Sequence, residues 1–416
     1  MPDIVLKWFR AETEILLRAD EVTCKVEFSN EALPPLATLE REWRAFEAGA
    51  RPSFFTSWQW IGTLLAAVPA ANRPRLLRGV ARGETVGLAL LGAGTTRRRH
   101  GLVRSRALYL NETGDPRFDA ITIEHNGILA PASQEAAVFD AAIEWFANLD
   151  EVADELHING SPVRMSEPMV EGRGLGRSET VLPSYSLDLG LLSSDGELDP
   201  VLSANARQQL RRAIRHFESY GPLQLSAAAT AVEALAFFTE LKTLHCASWE
   251  RRGRKHSFSG EFFEPFHRLL IERTFAAGGT HLLKASAGSR VIGYLYNFRY
   301  GDRIYAYQSG FADSDRHERP GIVTHALAIR HAFQSGARVY DFMAGRNRLK
   351  ESFSTRCEPM LWQVLQQPRL AFRLEHLGRR LKHAINARKP LSAVRRNDRA
   401  SRIRPAWSRT RPLVPG

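Results

Sequence analysis

From Thr280 to Gly345 the chain alternates two hydrophobic periods in a fixed order, and that order restricts the fold more than any other feature. "THLLKASAG", "RVIGYLYNFRYGD" and "RIYAYQSGFAD" are apolar, β-branched and aromatic runs separated by Gly- and Asp-bearing joints. They read as three consecutive strands. "GIVTHALAIRHAFQSG" then shifts to helical spacing, and "RVYDFMAG" returns to strand. Strands joined by hairpins are antiparallel, whereas strand–helix–strand is a crossover. The expectation is an α/β fold, an α+β mixed sheet with crossover helices.

Two halves are expected around it. In the first, "LATLEREWRAFEAG" places Leu36, Leu39, Trp43 and Phe46 on one helix face, and Ser57 caps a second helix in "FFTSWQWIGTLLAAV". There, Trp58 and Trp60 read as core and rim rather than as a carbohydrate platform. The strands "PRLLRGVARG", "ETVGLALLGAG" and "RALYLNETG" follow, with a basic hairpin at Arg97 to His100. A helix, "SQEAAVFDAAIEWFANL", and a strand, "ELHING", come next. "EGRGLGRSET", residues 171–180, reads as a glycine-rich loop and marks the boundary. It is no dinucleotide fingerprint, because it follows no hydrophobic strand and opens no helix. The second half restarts with strand "YSLDL", a helix carrying Arg207, Arg211, Arg212 and Arg215, strand "LQLSAAA" and two helices. After the 280–345 run, "LKESFS" and "MLWQVLQ" read as a short helix and a closing strand. The expected division is an extension at 1–28, domains at 29–181 and 182–367, a basic amphipathic helix at 368–390 and a disordered basic tail at 391–416.

The net charge of +12 is a tail property. Residues 366–416 hold fourteen Lys/Arg and two acids, which leaves the body near neutral. Leu370, Leu374, Leu377, Leu381 and Ile385 recur at helical spacing there. The tail is expected to meet solvent, an acidic lipid surface or an acidic partner, and no nucleic-acid role is expected. Cys24, Cys246 and Cys357 are too few and too scattered for a disulfide framework or a zinc site. No export signal or membrane span is read, so a cytoplasmic location is expected, peripheral at the inner membrane face if the tail docks. HExxH, Walker and GxSxG motifs do not occur.

One spacing carries chemistry. The helix after "IYAYQSGF" opens at Pro320-Gly321, with Arg316 and Arg319 just upstream. A helix start offers unpaired N–H groups and partial positive charge, and glycine admits close approach. An anion such as a diphosphate suits that end.

Val291-Ile292-Gly293, Gly310-Phe311, Pro320-Gly321, Gly336, Asp341-Phe342, Gly345 and Lys350 form an ordered set. On it, the second half resembles the Gcn5-related N-acetyltransferase (GNAT) superfamily. More narrowly it is similar to the acetyltransferase domain of the CelD, or BioF2-like, group, related to the FemAB aminoacyltransferases of peptidoglycan synthesis. The first half is similar to the N-terminal part of those proteins. The sequence departs at Arg346-Asn347-Arg348-Leu349, where the family carries acids and a tyrosine, and its phosphate loop is reduced to Arg319-Pro320-Gly321.

The resemblance implies tandem GNAT-like folds and direct acyl transfer, without metal, from acetyl-CoA or another acyl-CoA to an amine or hydroxyl. The acceptor implied is a small molecule or glycan, in exopolysaccharide or cell-envelope biosynthesis. It implies that Ser309, Gly310 and Phe311 line the thioester, while Arg316, Arg319, Gly321 and Ile322 hold the diphosphate. Asp341 and Glu351 are then candidate bases, Tyr307 the candidate acid, and Lys350 the candidate acceptor-binding cation. Two other readings stay open. One is an aminoacyl-tRNA-dependent FemAB-like transferase, which would carry a coiled-coil arm in the second half. The other is a non-catalytic binding protein with a basic tail.

Overall fold

The computed structural model describes residues 25–98, 103–149, 152–165, 167–312 and 318–372. The extension before residue 25, the hairpin tip at 99–102, Arg316 and the stretch from 373, with most of the basic helix and all of the tail, lie outside the described residues.

The two halves repeat one order of elements. The first runs β1 (Glu27–Glu31), α1 (Leu36–Glu47), α2 (Trp58–Ala67), β2 (Arg75–Ala81), β3 (Glu84–Arg98), β4 (Val103–Leu110), α3 (Glu135–Ala147), β5 (Glu155–Ser161), α4 (Glu167–Gly172) and β6 (Gly176–Asp188). A linking helix, α5 (Ala204–Glu218), leads to β7 (Leu223–Ala227), α6 (Ala231–Arg251), α7 (Phe263–Thr274), β8 (Thr280–Ala287), β9 (Arg290–Tyr300) and β10 (Arg303–Phe311). Then come α8 (Pro320–Gln334), β11 (Val339–Ala344), α9 (Arg348–Phe353) and β12 (Arg356–Gln366). Local chemistry sets the helix starts. Ser203 accepts from Ala206 N–H and Thr230 from Glu233 N–H, so α5 and α6 begin on capped donors.

Among the described residues the twelve strands form one sheet, ordered β1-β2-β3-β4-β5-β12-β6-β11-β10-β9-β8-β7. The halves exchange their last strands. β6 pairs with β11 of the second half, and β12 pairs with β5 of the first. β6 and β12 then pair with each other, from Arg356 opposite Ser186 to Gln366 opposite Gly176.

This exchange corrects the reading of residues 171–180. Residues 171–172 end α4, 173–175 turn, and 176–180 open β6, which runs without a break through 181 and 182. Its glycines and charges suggest a loop, but from Gly176 on the ladder with β12 gives each residue of the stretch a strand neighbour, and pairing outweighs weak propensity. β1 was also not apparent in the sequence; it pairs antiparallel with β2.

Both halves contribute to one aromatic core. Phe54 stacks on Phe298 with centroids 4.3 Å apart, and Phe55 and Trp60 pack around Tyr307. Trp58 and Trp60 are buried, as expected of core residues. Among the described residues no helix is long and apolar enough to cross a membrane.

Candidate functional site

β10 and β11 run parallel but pair over only three residues each, Arg303–Tyr305 against Val339–Asp341. Beyond that point β10 continues along β9 and β11 along β6. The sheet therefore forks, with Asp341 as the last paired residue of β11. A bulge follows, with Met343 at φ 66°, in the left-handed region that bulky residues avoid. Asp341 holds this bulge: its Oδ1 accepts from Met343 N–H at 2.7 Å.

A strap from the first half closes onto the fork. It runs from Ile121 to Asn126, with Thr122 and His125 at positive φ. His125 Nε2 lies 3.0 Å and Arg303 Nη1 2.7 Å from Asp341 Oδ2. Burial alone would raise the Asp341 pKa, but His125 and then Arg303 outweigh it and hold the carboxylate down to about 2. A group so firmly ionised is a weak proton acceptor. Glu124 accepts from Ala344 N–H at 2.8 Å, and burial raises its pKa. Tyr307 donates its hydroxyl to the Ile121 carbonyl, and burial pushes its pKa well up. Tyr307 is thus a tie between the halves.

Lys350 is buried on α9. Its Nζ donates to the Ala344 carbonyl at 2.8 Å. Burial lowers its pKa to about 8, although Glu124 and Asp341 oppose the shift. Folding therefore sheds a proton that the unfolded chain keeps up to about its ordinary 10.5. Between those values the unfolded state binds more protons, so stability attributable to this group rises with pH, by about 3 kcal/mol in all. Denaturation midpoints of the parent and Lys350→Met, measured from about pH 8 to 10, are expected to differ in slope, the variant losing this rise.

The structure thus gathers Asp341, Lys350 and Tyr307 around the strap. Glu351 stands apart. It is exposed, 2.6 Å from Arg346 Nε, which lowers its pKa, and 3.4 Å from the Tyr185 hydroxyl. Asn347, in the segment that departs from the family pattern, caps α9 by accepting from Leu349 and Lys350 N–H.

On the other side of the fork lies the start of α8. Arg319 is its N-cap, at φ 53°, exposed and bonded to Gln209 of α5. Arg212 follows Gln209 by three residues, so both share a face of α5. Glu318 is held by Arg290 at 3.1 Å and His216 at 3.1 Å. Gly321 packs under Phe311: a Cβ there would lie 3.2 Å from the ring. The Ile322 N–H donates to the Arg319 carbonyl at 3.1 Å.

The free edge of β10 holds Ser309, Gly310 and Phe311. Gly310 lacks a side chain for α6, because a Cβ would meet the Leu241 carbonyl at 2.4 Å. One turn on, His245 sits 2.9 Å through Nδ1 from the Ser309 carbonyl. It is buried, and its Nε2 has no hydrogen-bond partner among the described residues. Desolvation lowers its pKa to about 4, so the ring is neutral, with a proton on Nδ1 and a free lone pair on Nε2. Nothing in the sequence singles out this group, since a histidine in an amphipathic helix reads as an ordinary core position. Glu124 and His125 were equally hidden, lying in a loop far from β11 in the chain.

Residues 204–351 match the family described as an acetyltransferase (GNAT) domain. The stretch that matches the GNAT domain lies within the second half. The match opens at the start of α5 and closes one residue after Lys350. No curated protein matches the sequence. Among solved structures, FemX is similar with a TM-score of 0.52 and 11% identity, over 84% of this chain and 99% of that one. The C-terminal domain of a putative lysylphosphatidylglycerol synthetase from Agrobacterium fabrum follows at 0.47 and 10%, over 80% and 93%. A tandem GNAT protein from the clavulanic acid biosynthesis pathway scores 0.39 at 13%, over 81% and 98%. At such identities the likeness is one of fold.

The halves are tandem GNAT-like folds, but their forks differ. In the first half β4 and β5 also pair over three residues, Ala107–Tyr109 against Glu155–His157. There the strap fills the opening. Asn126 donates its backbone N–H to the Gly160 carbonyl at 2.9 Å and its amide to the Leu110 carbonyl at 2.9 Å. In the GNAT domain the strap reaches the strap-side wall only, at Asp341, Ala344 and Tyr307. Among the described residues, no His/Cys/Asp/Glu group is arranged to hold a metal.

Proposed function

We propose that the chain transfers an acyl group from acetyl-CoA or another acyl-CoA to an amine or hydroxyl acceptor. The observation that carries this is the fork between β10 and β11 beside the start of α8. It sets a free strand edge next to a cationic helix end. On this reading the pantetheine lies along Ser309–Phe311 and the diphosphate meets Gly321 N–H and Arg319. The acceptor attacks the thioester directly, and the protein contributes position and a proton path. His245 is the proposed acceptor-side partner, accepting a hydrogen bond at Nε2 from the incoming N–H or O–H. Asp341 and Lys350 form the wall of the site, and Lys350 remains the candidate cation for an anionic or sugar acceptor. A glycan or small molecule of cell-envelope biosynthesis, met in the cytoplasm, is the acceptor class we favour.

The likeness to FemX gives a second reading, an aminoacyl-tRNA-dependent transferase of the FemAB kind, some weight. Packing favours acyl-CoA. α6 lies on β8–β10 and α7 against α2, so among the described residues neither helix projects as a coiled-coil arm.

Arg319→Glu tests the donor seat, because Arg319 is exposed and the change leaves the core intact. A charge-assisted bond to phosphate is worth about 1.5–3 kcal/mol, so affinity for acetyl-CoA by calorimetry is expected to fall roughly tenfold or more. Unchanged affinity would remove the diphosphate from this helix end.

A further inference from the structure

We propose that the corner where the described chain ends, at Phe372, is a docking surface for an anionic lipid bilayer. The argument is independent of acyl transfer. β3 and β4 place Arg97 directly opposite Arg104, both exposed. Like charges facing each other across a ladder oppose pairing. Among the described residues no acid pairs with either. A cost of this kind, met at a surface, points to an external anion.

The hairpin and the chain exit are one corner. Arg98 lies over the Phe372 ring, 5.3 Å from its centroid. Arg106 and Arg369 both grip Asp154, at 3.1 Å and 2.5 Å. Arg98 pairs with Glu155. Arg97 and Arg104 thus stand beside a corner that already carries three further arginines. Beside them stand two bare apolar side chains: Leu370 is 76% exposed and Val152, two residues before Asp154, 65%.

The sequence extends both features. Leu370 is the first of the apolar positions that recur at Leu374, Leu377, Leu381 and Ile385. Residues 373–416 add thirteen Lys/Arg against two acids. Cations beside bare apolar side chains suit a bilayer interface, where headgroups take the charge and acyl chains take Leu370 and Val152. A nucleic acid would use the charge and leave both apolar side chains in water. The placement also orients the molecule. β11 and β12 are each antiparallel to β6, so the GNAT fork and the chain exit open toward the same end of the sheet.

Sedimentation of the full chain with phosphatidylcholine vesicles, with and without phosphatidylglycerol, tests this. Binding is expected only with phosphatidylglycerol, weakening as salt rises. The Arg97→Gln/Arg104→Gln double variant is expected to bind roughly thirtyfold more weakly, at about fivefold per basic residue. Leu370→Glu is expected to weaken vesicle binding while leaving retention on a duplex oligonucleotide unchanged. Equal binding to both vesicle types, no vesicle binding, or a double variant as tight as the parent would each overturn the proposal. So would binding to the oligonucleotide alone.

Discussion

Asp341→Asn is expected to destabilise the protein by about 3–5 kcal/mol, the usual cost of removing one member of a buried ion pair. The carboxylate is fully buried and is the shared partner of Arg303 and His125. Without it Arg303, whose side chain is one-third exposed, keeps its charge with no counter-ion, whereas the asparagine Oδ1 still accepts from Met343 N–H, so the loss falls on the ion pairs and not on the bulge. The strap would lose its anchor on β11, so both halves should loosen together. The pH dependence gives the sign. The folded pKa, about 2, lies below the ordinary 3.8. The contribution is therefore present above about pH 4 and is lost as pH falls toward 2, and it amounts to about 2 kcal/mol. Urea midpoints of parent and variant between those limits check it. The parent should lose stability more steeply, and parallel curves would mean that Asp341 is not held as described.

His245→Phe is expected to lower kcat by roughly 10²–10⁴-fold while KM for acyl-CoA changes little. Phenylalanine keeps the ring in its aromatic setting between Trp249 and Phe258 but removes both nitrogens. The Ser309 carbonyl loses its donor, and the acceptor loses Nε2. Because desolvation lowers the His245 pKa to about 4, the parent's acid limb should fall near that value rather than near 6.5. A variant with normal turnover would confine His245 to packing. A loss that appears only in KM for acyl-CoA would place it on the donor side.

Much of the fold was legible because it is local. Periods of two and 3.6 residues marked β8–β11 and α8, and turn glycines separated them. Strand order was not legible. Nothing in "YSLDL" or "MLWQVLQ" says that each pairs with the opposite half, since exchange depends on tertiary closure and not on propensity. The site divided the same way. Pro320-Gly321 and the Asp341–Lys350 segment could be read from order along the chain. The groups that set their properties could not. Glu124 and His125 come from an aperiodic strap, and His245 looks like any helical core residue. Glycine also misled in part, because Gly310 answers to the Leu241 carbonyl and Gly321 to the Phe311 ring.

Hydrogen exchange with and without acetyl-CoA tests the central claim most directly, because it locates the ligand without assuming an acceptor. Slowed exchange is expected in the first turn of α8 and along residues 306–311 of β10, with β4 and β5 of the first half unchanged. No protection with acetyl-CoA or longer acyl-CoAs, or protection confined to the first half, would contradict the placement of an acyl-CoA site at the fork of the GNAT domain.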